Sequence, residues 1–137
     1  MNMIVYAIEN NLGAEEFRAL LVNSTLGIRR PVDDPERLGK MLEHANLIVT
    51  ARDNGKLIGV SRALSDFSFC TYLSDLAVDE SYQKQGIGRE LIRRTKTASP
   101  HAKLILLAAP AAVSYYPRIG MARFEQCFIL DDVSDLK

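Results

Sequence analysis

At 137 residues, with 47% apolar and 25% charged residues and no low-complexity tract, the chain has the size and composition of one globular domain spanning 1–137, which excludes the disordered and fibrous classes. Its 17 basic residues balance its 17 acidic ones, removing the electrostatic excess that non-specific DNA or RNA binding requires, so no nucleic-acid partner is expected. No window approaches the roughly 20 consecutive apolar residues of a membrane span, and the opening MNMIVYAIENN lacks the basic flank and cleavage site of a secretion signal, so a cytoplasmic protein without a membrane partner is expected.

Met3 to Ile8 is apolar and β-branched enough for a strand, and Ala14 to Leu26 changes to helical spacing with Phe17, Leu20 and Leu21 on one side. Asp34-Pro35 pairs an N-cap acid with a proline suited to the first helical position, and Leu38, Met41, Leu42 and Ala45 follow at helical intervals. Leu47 to Arg52 and Lys56 to Leu64 flank Asn54-Gly55, the dipeptide of a tight hairpin turn. Thr71 to Val78 is a further strand, and a helix runs from near Gly86 to Ala98, where Ser99-Pro100 stops it.

Lys103 to Leu107 is nearly all apolar, as expected of a strand covered on both faces beside a parallel neighbour. Ala111 to Tyr116 predicts a short helix that Pro117 must end or kink. A last strand is expected over Arg123 to Leu130. These elements compose a mixed α/β sheet with helices distributed along it. Cys70 and Cys127 lie far apart without a Cys/His spacing, so they read as buried free thiols, and no metal is expected.

The segment that carries chemistry is Tyr72 to Leu91, an apolar strand, a polar turn, a glycine-rich corner and an amphipathic helix. Gly86 and Gly88 let backbone pass close to a ligand, and the first N–H groups of the helix lack intrahelical acceptors. A diphosphate suits those donors and the helix dipole, with Arg89 and Arg93 in reach of a further phosphate. A dinucleotide fingerprint would need a third glycine where Leu91 stands, and a Walker loop would need Gly-Lys-Ser/Thr. Neither is present.

Gln83-Lys84-Gln85-Gly86-Ile87-Gly88 resembles the QxxGxG motif of the GNAT superfamily of acetyl-CoA-dependent N-acetyltransferases, preceded by a matching Leu76-Ala77-Val78. Tyr115-Tyr116-Pro117-Arg118-Ile119-Gly120-Met121 resembles that family's FYxxxGF segment, and the resemblance extends from Met3 to Leu130. It implies the acyl-CoA N-acyltransferase fold, ordered β-α-α-β-β-β-α-β-α-β, with a splayed parallel strand pair. Gly59 to Val78 looks most like small single-domain members that include plant-type serotonin N-acetyltransferases. The last strand offers an edge that family dimers often use, which leaves a homodimer among the expected states.

The resemblance further implies acetyl-CoA as co-substrate, lying where the strand ending at Val78 parts from Lys103 to Leu107. Backbone groups of Leu76 and Val78 would then bond pantetheine, with Ala77 between them. The corner Gln83, Lys84, Gln85, Gly86, Ile87, Gly88 and Arg89 would hold the pyrophosphate. Tyr116 falls where the family commonly places a tyrosine acid that protonates the departing thiolate, and the Val78 N–H is the oxyanion donor. Where some relatives place a base, this chain has Ser74 and Tyr72. Asp75, which strict alternation puts on the other strand face, and Asp66 are the carboxylates that would work through a water, unless the amine arrives already neutral.

The acceptor is the least legible part. Arg29 and Arg30 suit an acidic substrate and Phe67, Phe69 and Tyr72 an aromatic amine, unless the arginines are simply solvated and the aromatics part of the core. The expected reaction is direct transfer of acetyl to a primary amine of a small molecule in a ternary complex. A protein N-terminus or lysine as acceptor, and a CoA-binding module without catalysis, are the alternatives, the latter motivated by Pro117 and the missing base.

Overall fold

A computed structural model describes residues 3–137, which divide into two compact units, one ending at Leu107 and one formed by Ala108–Lys137. The first unit runs β1 (Ile4–Ile8), α1 (Ala14–Asn23), a 3₁₀ turn (Leu26–Arg29), α2 (Pro35–Glu43), β2 (Leu47–Asp53), β3 (Lys56–Ser65), β4 (Cys70–Val78), a 3₁₀ turn (Glu80–Tyr82), α3 (Ile87–Ala98) and β5 (Lys103–Ile105). Its sheet has the order β1-β2-β3-β4-β5, antiparallel throughout except for the parallel β4–β5 pair.

Local chemistry explains several boundaries. Asn54 and Gly55 take φ of 49° and 87°, the positive pair that lets a two-residue turn join β2 to β3. Asp34 accepts from the Arg37 N–H at 3.1 Å and Pro35 opens α2. α1 stops at Asn23, three residues before the predicted end. The Ser24 hydroxyl and N–H both donate to the Leu21 carbonyl, at 2.9 and 3.3 Å, and Thr25 then turns to φ 72°.

Two apolar clusters sandwich the sheet. Phe17, Leu20 and Leu21 of α1 and Leu38 and Leu42 of α2 pack with Ile48, Val60 and Ala77, while Ile87 and Leu91 of α3 pack with Leu47, Val49, Ala51 and Ile58 on the opposite face. The second cluster is tight at Gly59, where a Cβ would come within 3.1 Å of Leu91 and 3.2 Å of Ile87. α3 therefore lies directly on β3, which fixes where its N-terminus points. No helix among the described residues is long and apolar enough to cross a membrane.

Three expectations are corrected. β5 is only Lys103–Ile105, and Ile105 is half-exposed rather than covered on both faces, because the strand is paired for three residues and along one edge. Within the second unit Arg123 to Leu130 is not a strand, since β-favouring side chains such as Phe124, Phe128 and Ile129 form one only against a ladder partner. Cys70 and Cys127 are exposed, not buried.

The second unit contains α4 (Tyr115–Arg118), which begins later than predicted and includes Pro117 instead of ending at it. Proline is tolerated there because N–H groups of the first turn have no intrahelical acceptor to lose. Gly120, at φ 103°, closes α4. Its N–H donates to Pro117 at 3.1 Å and the Met121 N–H to Tyr116 at 3.0 Å, a paired C-terminal cap that needs a left-handed residue at this position.

Candidate active site

β4 and β5 pair only at Cys70↔Lys103, Thr71↔Leu104 and Tyr72↔Ile105. Beyond Tyr72, β4 continues to Val78 with β3 on one edge and no strand on the other among the described residues. At about 3.3 Å per residue, six residues leave roughly 20 Å of open edge.

The phase of the antiparallel ladder decides what that edge presents. The Asp79 N–H donates to Ile58 at 2.8 Å, and the register then runs Val78↔Gly59, Ala77↔Val60 and Leu76↔Ser61. Hydrogen-bonded and non-bonded pairs alternate in such a ladder, so Ala77 turns its N–H and C=O toward β3 while Leu76 and Val78 turn theirs to the open edge. Parting strands thus leave a row of backbone donors and acceptors able to take an extended amide-bearing ligand.

The chain leaves Val78 through a braced turn. Asp79 accepts from the Ser81 N–H at 2.9 Å and hydroxyl at 2.7 Å, and the Tyr82 hydroxyl donates to Asp53 at 2.5 Å. Lys84 and Gly86 then take φ of 65° and 81°, which swings the chain into α3 with Gly86 as its cap residue. No side chain caps this end, and Glu90 is the first residue whose N–H returns into the helix, to Gly86 at 3.1 Å. The N–H groups of Ile87, Gly88 and Arg89 form the positive end of the helix dipole, where an anion is stabilised.

Gln83, Lys84, Gln85, Gly86 and Arg89 are exposed, and Ile87 is buried as the anchor of α3. A Cβ at Gly86 would meet nothing within 4 Å, so that side of the corner is open. The basic residues further along α3 are engaged. Arg93 and Arg94 both donate to Glu90, holding its carboxyl near pKa 2, and Arg94 also lies 4.7 Å over the Tyr6 ring. Lys96 donates to the carbonyls of Pro100 and Ala102, satisfying backbone beyond the helix C-terminus.

The two expected carboxylates have other work. Asp66 accepts from the N–H groups of Phe69, Ser68 and Cys70, which pull its pKa down to about 2, and so staples the β3–β4 turn. Asp75 is fully buried and ion-paired to both Arg30 and Arg62. The alternation that would separate it from Ser74 fails at a bulge. The register passes from Arg62↔Asp75 to Ala63↔Leu73, and Arg62 reaches both the Asp75 carboxylate and, at 3.0 Å, the Ser74 hydroxyl. A sealed, doubly paired carboxylate is not placed to take a proton from an incoming amine.

Arg30, expected as a substrate partner, is committed to Asp75 and to the Ser74 carbonyl at 2.8 Å. Arg62 went unnoticed in the sequence, although a lone arginine inside the apolar run Ile58 to Leu64 signals a buried ion pair. Phe67 and Phe69 are exposed on the β3–β4 turn and not part of the core, with Phe67 at φ 57°.

In the second unit the Tyr115 and Tyr116 rings meet edge to face at 5.2 Å. Burial, and after it the neighbouring Tyr115, raises the Tyr116 hydroxyl above the ordinary 10, which keeps it protonated and able to donate.

Residues 26–134 match the acetyltransferase (GNAT) domain family. A segment of 68 residues is 37% identical to soybean (Glycine max) histone acetyltransferase TAP1, covering 47% of this chain and 29% of that protein. The chain thus aligns with less than a third of the length of that relative. Among solved structures, the GNAT family acetyltransferase SP0256 of Streptococcus pneumoniae superposes with a TM-score of 0.76 at 23% identity, over 95% of this chain and all of that one. An aminoglycoside N-acetyltransferase, AAC(6')-Iy in complex with CoA, superposes with a TM-score of 0.75 at 15% identity, over 97% of each chain. Parting parallel strands, a glycine corner at positive φ and a family match over most of the sequence agree, and the chain belongs to the GNAT acetyltransferase family.

Proposed function

We propose that the chain, acting as one domain, transfers acetyl from acetyl-CoA to a primary amine of a small molecule by direct attack in a ternary complex. The open edge at Leu76 and Val78, running into the unsatisfied N–H groups at the start of α3, carries this reading. Pantetheine amides complete the ladder on Leu76 and Val78, and the backbone of Gln83 to Arg89 receives the pyrophosphate. The amine nitrogen attacks the thioester carbonyl, and the resulting oxyanion accepts the Val78 N–H. The C–S bond then breaks, Tyr116 donates its proton to the thiolate, and the amide nitrogen loses its extra proton to solvent.

Because Asp75 is sealed and Asp66 is bound by its own turn, no side chain is assigned as base, and the amine enters neutral. An alkylamine has a pKa of about 10, so kcat/KM should rise with unit slope across neutral pH and approach its limit only near that value. A plateau near pH 7 would instead reveal an enzyme base.

The likeness to a relative named a histone acetyltransferase favours a second reading, a peptide amine as acceptor. Of the two reasons to consider a module without catalysis, Pro117 lies in a helical turn that accommodates it, and the missing base is met in this reading by an amine that enters neutral. Melting with acetyl-CoA, CoA, NAD and ATP tests the cofactor. A hundredfold excess over Kd raises stability by about 2.7 kcal/mol, and equal shifts with all four would sink the assignment. Thiol release with a panel of small amines and lysine peptides then decides the acceptor class.

A further inference from the structure

The bulge on β4 is held by an unusual amount of charge. Arg30, from the connection between α1 and α2, donates through Nε to Asp75, through Nη2 to the Ser74 carbonyl at 2.8 Å and through Nη1 to the Arg29 carbonyl at 2.9 Å. Arg62, from β3, donates through Nε to the other Asp75 oxygen, through Nη2 to the Ser74 hydroxyl at 3.0 Å and through Nη1 to the Met41 carbonyl at 2.8 Å. The 26–34 connection, α2, β3 and β4 therefore meet at one peptide, Ser74-Asp75.

Stability alone is a weak reason for such a cluster. Desolvating two guanidiniums and a carboxylate costs about as much as their pairing returns, and apolar side chains of similar volume usually do as well. What the cluster provides is direction. Arg30 and Arg62 fix both the carbonyl and the side chain of Ser74, two residues after the last β4–β5 pair, Tyr72↔Ile105, and two residues before Leu76, whose backbone faces the open edge. One guanidinium fork thereby ties the connection 26–34 to the strand whose last residue, Val78, carries the proposed oxyanion donor.

Resting on the function proposed above, we propose that Arg30, acting through Asp75 and Ser74, is a positioning residue. It couples the connection 26–34 to the geometry of the β4 bulge. It touches neither the pyrophosphate corner nor the Val78 end of the edge. Its loss should therefore reduce turnover while sparing CoA affinity.

The variants are Arg30→Ala and Arg30→Lys, the latter keeping charge without the fork. Arg30 is about one-fifth exposed, and Asp75 retains Arg62 when it is removed, so the fold should survive. Four readings are made on the purified full chain: CoA affinity by calorimetry, kcat and KM for the acceptor, amide exchange at residues 73–76 and 86–90, and turnover with millimolar guanidinium against NaCl of equal ionic strength. A misplacement on the scale of 1 Å costs about a hundredfold in rate, so a kcat loss of that order is expected in Arg30→Ala, with CoA affinity within twofold. Exchange should accelerate at 73–76 and not at 86–90, lysine should fail to restore turnover, and free guanidinium should restore part of it.

Unchanged turnover and exchange in Arg30→Ala would overturn the proposal, as would a kcat loss matched by weakened CoA binding or fully restored by lysine. Should either variant fail to fold, Arg30→Gln, neutral and of similar length, takes the same readings under the same criteria. If the wild-type chain binds CoA but acetylates no amine, the functional reading fails by itself, and local exchange at 73–76 still decides whether Arg30 holds the bulge.

Discussion

Gln83 donates its side-chain amide to the carbonyl of Val78 at 3.0 Å, so the first residue of the glycine corner holds the last residue of β4. The strand end and the corner are thereby set relative to one another by one exposed hydrogen bond. Gln83→Ala should weaken CoA binding about fivefold, the equivalent of roughly 1 kcal/mol for such a bond, with little change in melting temperature. Calorimetric titration with CoA checks it; unaltered affinity would mean that the corner keeps its place without this tie.

Gly86 carries the turn at φ 81°, with open space where a side chain would go. Gly86→Val should therefore fold, losing roughly 1–2 kcal/mol to left-handed backbone strain. CoA affinity should fall far more than stability, because in the proposed complex the new side chain enters the open space beside the pyrophosphate-binding corner. A melting curve and a CoA titration on the same preparation separate the two effects.

Removing the Tyr116 hydroxyl in Tyr116→Phe keeps the edge-to-face packing with Tyr115 and deletes the proposed proton donor. Turnover should drop about a hundredfold, the low end for general acid catalysis because a thiolate leaves readily, with CoA affinity unchanged. Tyr115→Phe is the comparison. If it were the damaging change, the roles carried over to this pair of tyrosines would have to be exchanged.

Asp66 makes a pH-dependent contribution with a defined sign. Its carboxyl titrates near 3.8 when unfolded and near 2 in the folded turn, so its stabilisation is complete above the first value and vanishes as pH falls through the second. Asp66→Asn should have a lower urea midpoint than wild type at pH 6, with the difference closing between about pH 4 and pH 2. Midpoints measured across that range decide it, and a constant gap would refute the assignment.

The sequence by itself determined the features whose causes lie within a few residues. Asn54-Gly55 specifies a turn by its positive φ angles, Asp34-Pro35 a helix start, and Gly86 the corner that exposes the first N–H groups of α3. Each follows from dihedral preference and from donors that no neighbour can satisfy, so the geometry of the strand-to-helix corner was legible. The surroundings of Asp75 were decided by partners distant in the chain. Asp75 stands 45 residues from Arg30 and 13 from Arg62, and its burial between them depends on a bulge that alternation cannot foresee. Arg123 to Leu130 fails in the same way, because strand-forming side chains state a preference while only a paired edge supplies the hydrogen bonds that make a strand. Local dihedrals are written in adjacent residues; which buried charges meet, and which edges stay open, is settled when the elements pack.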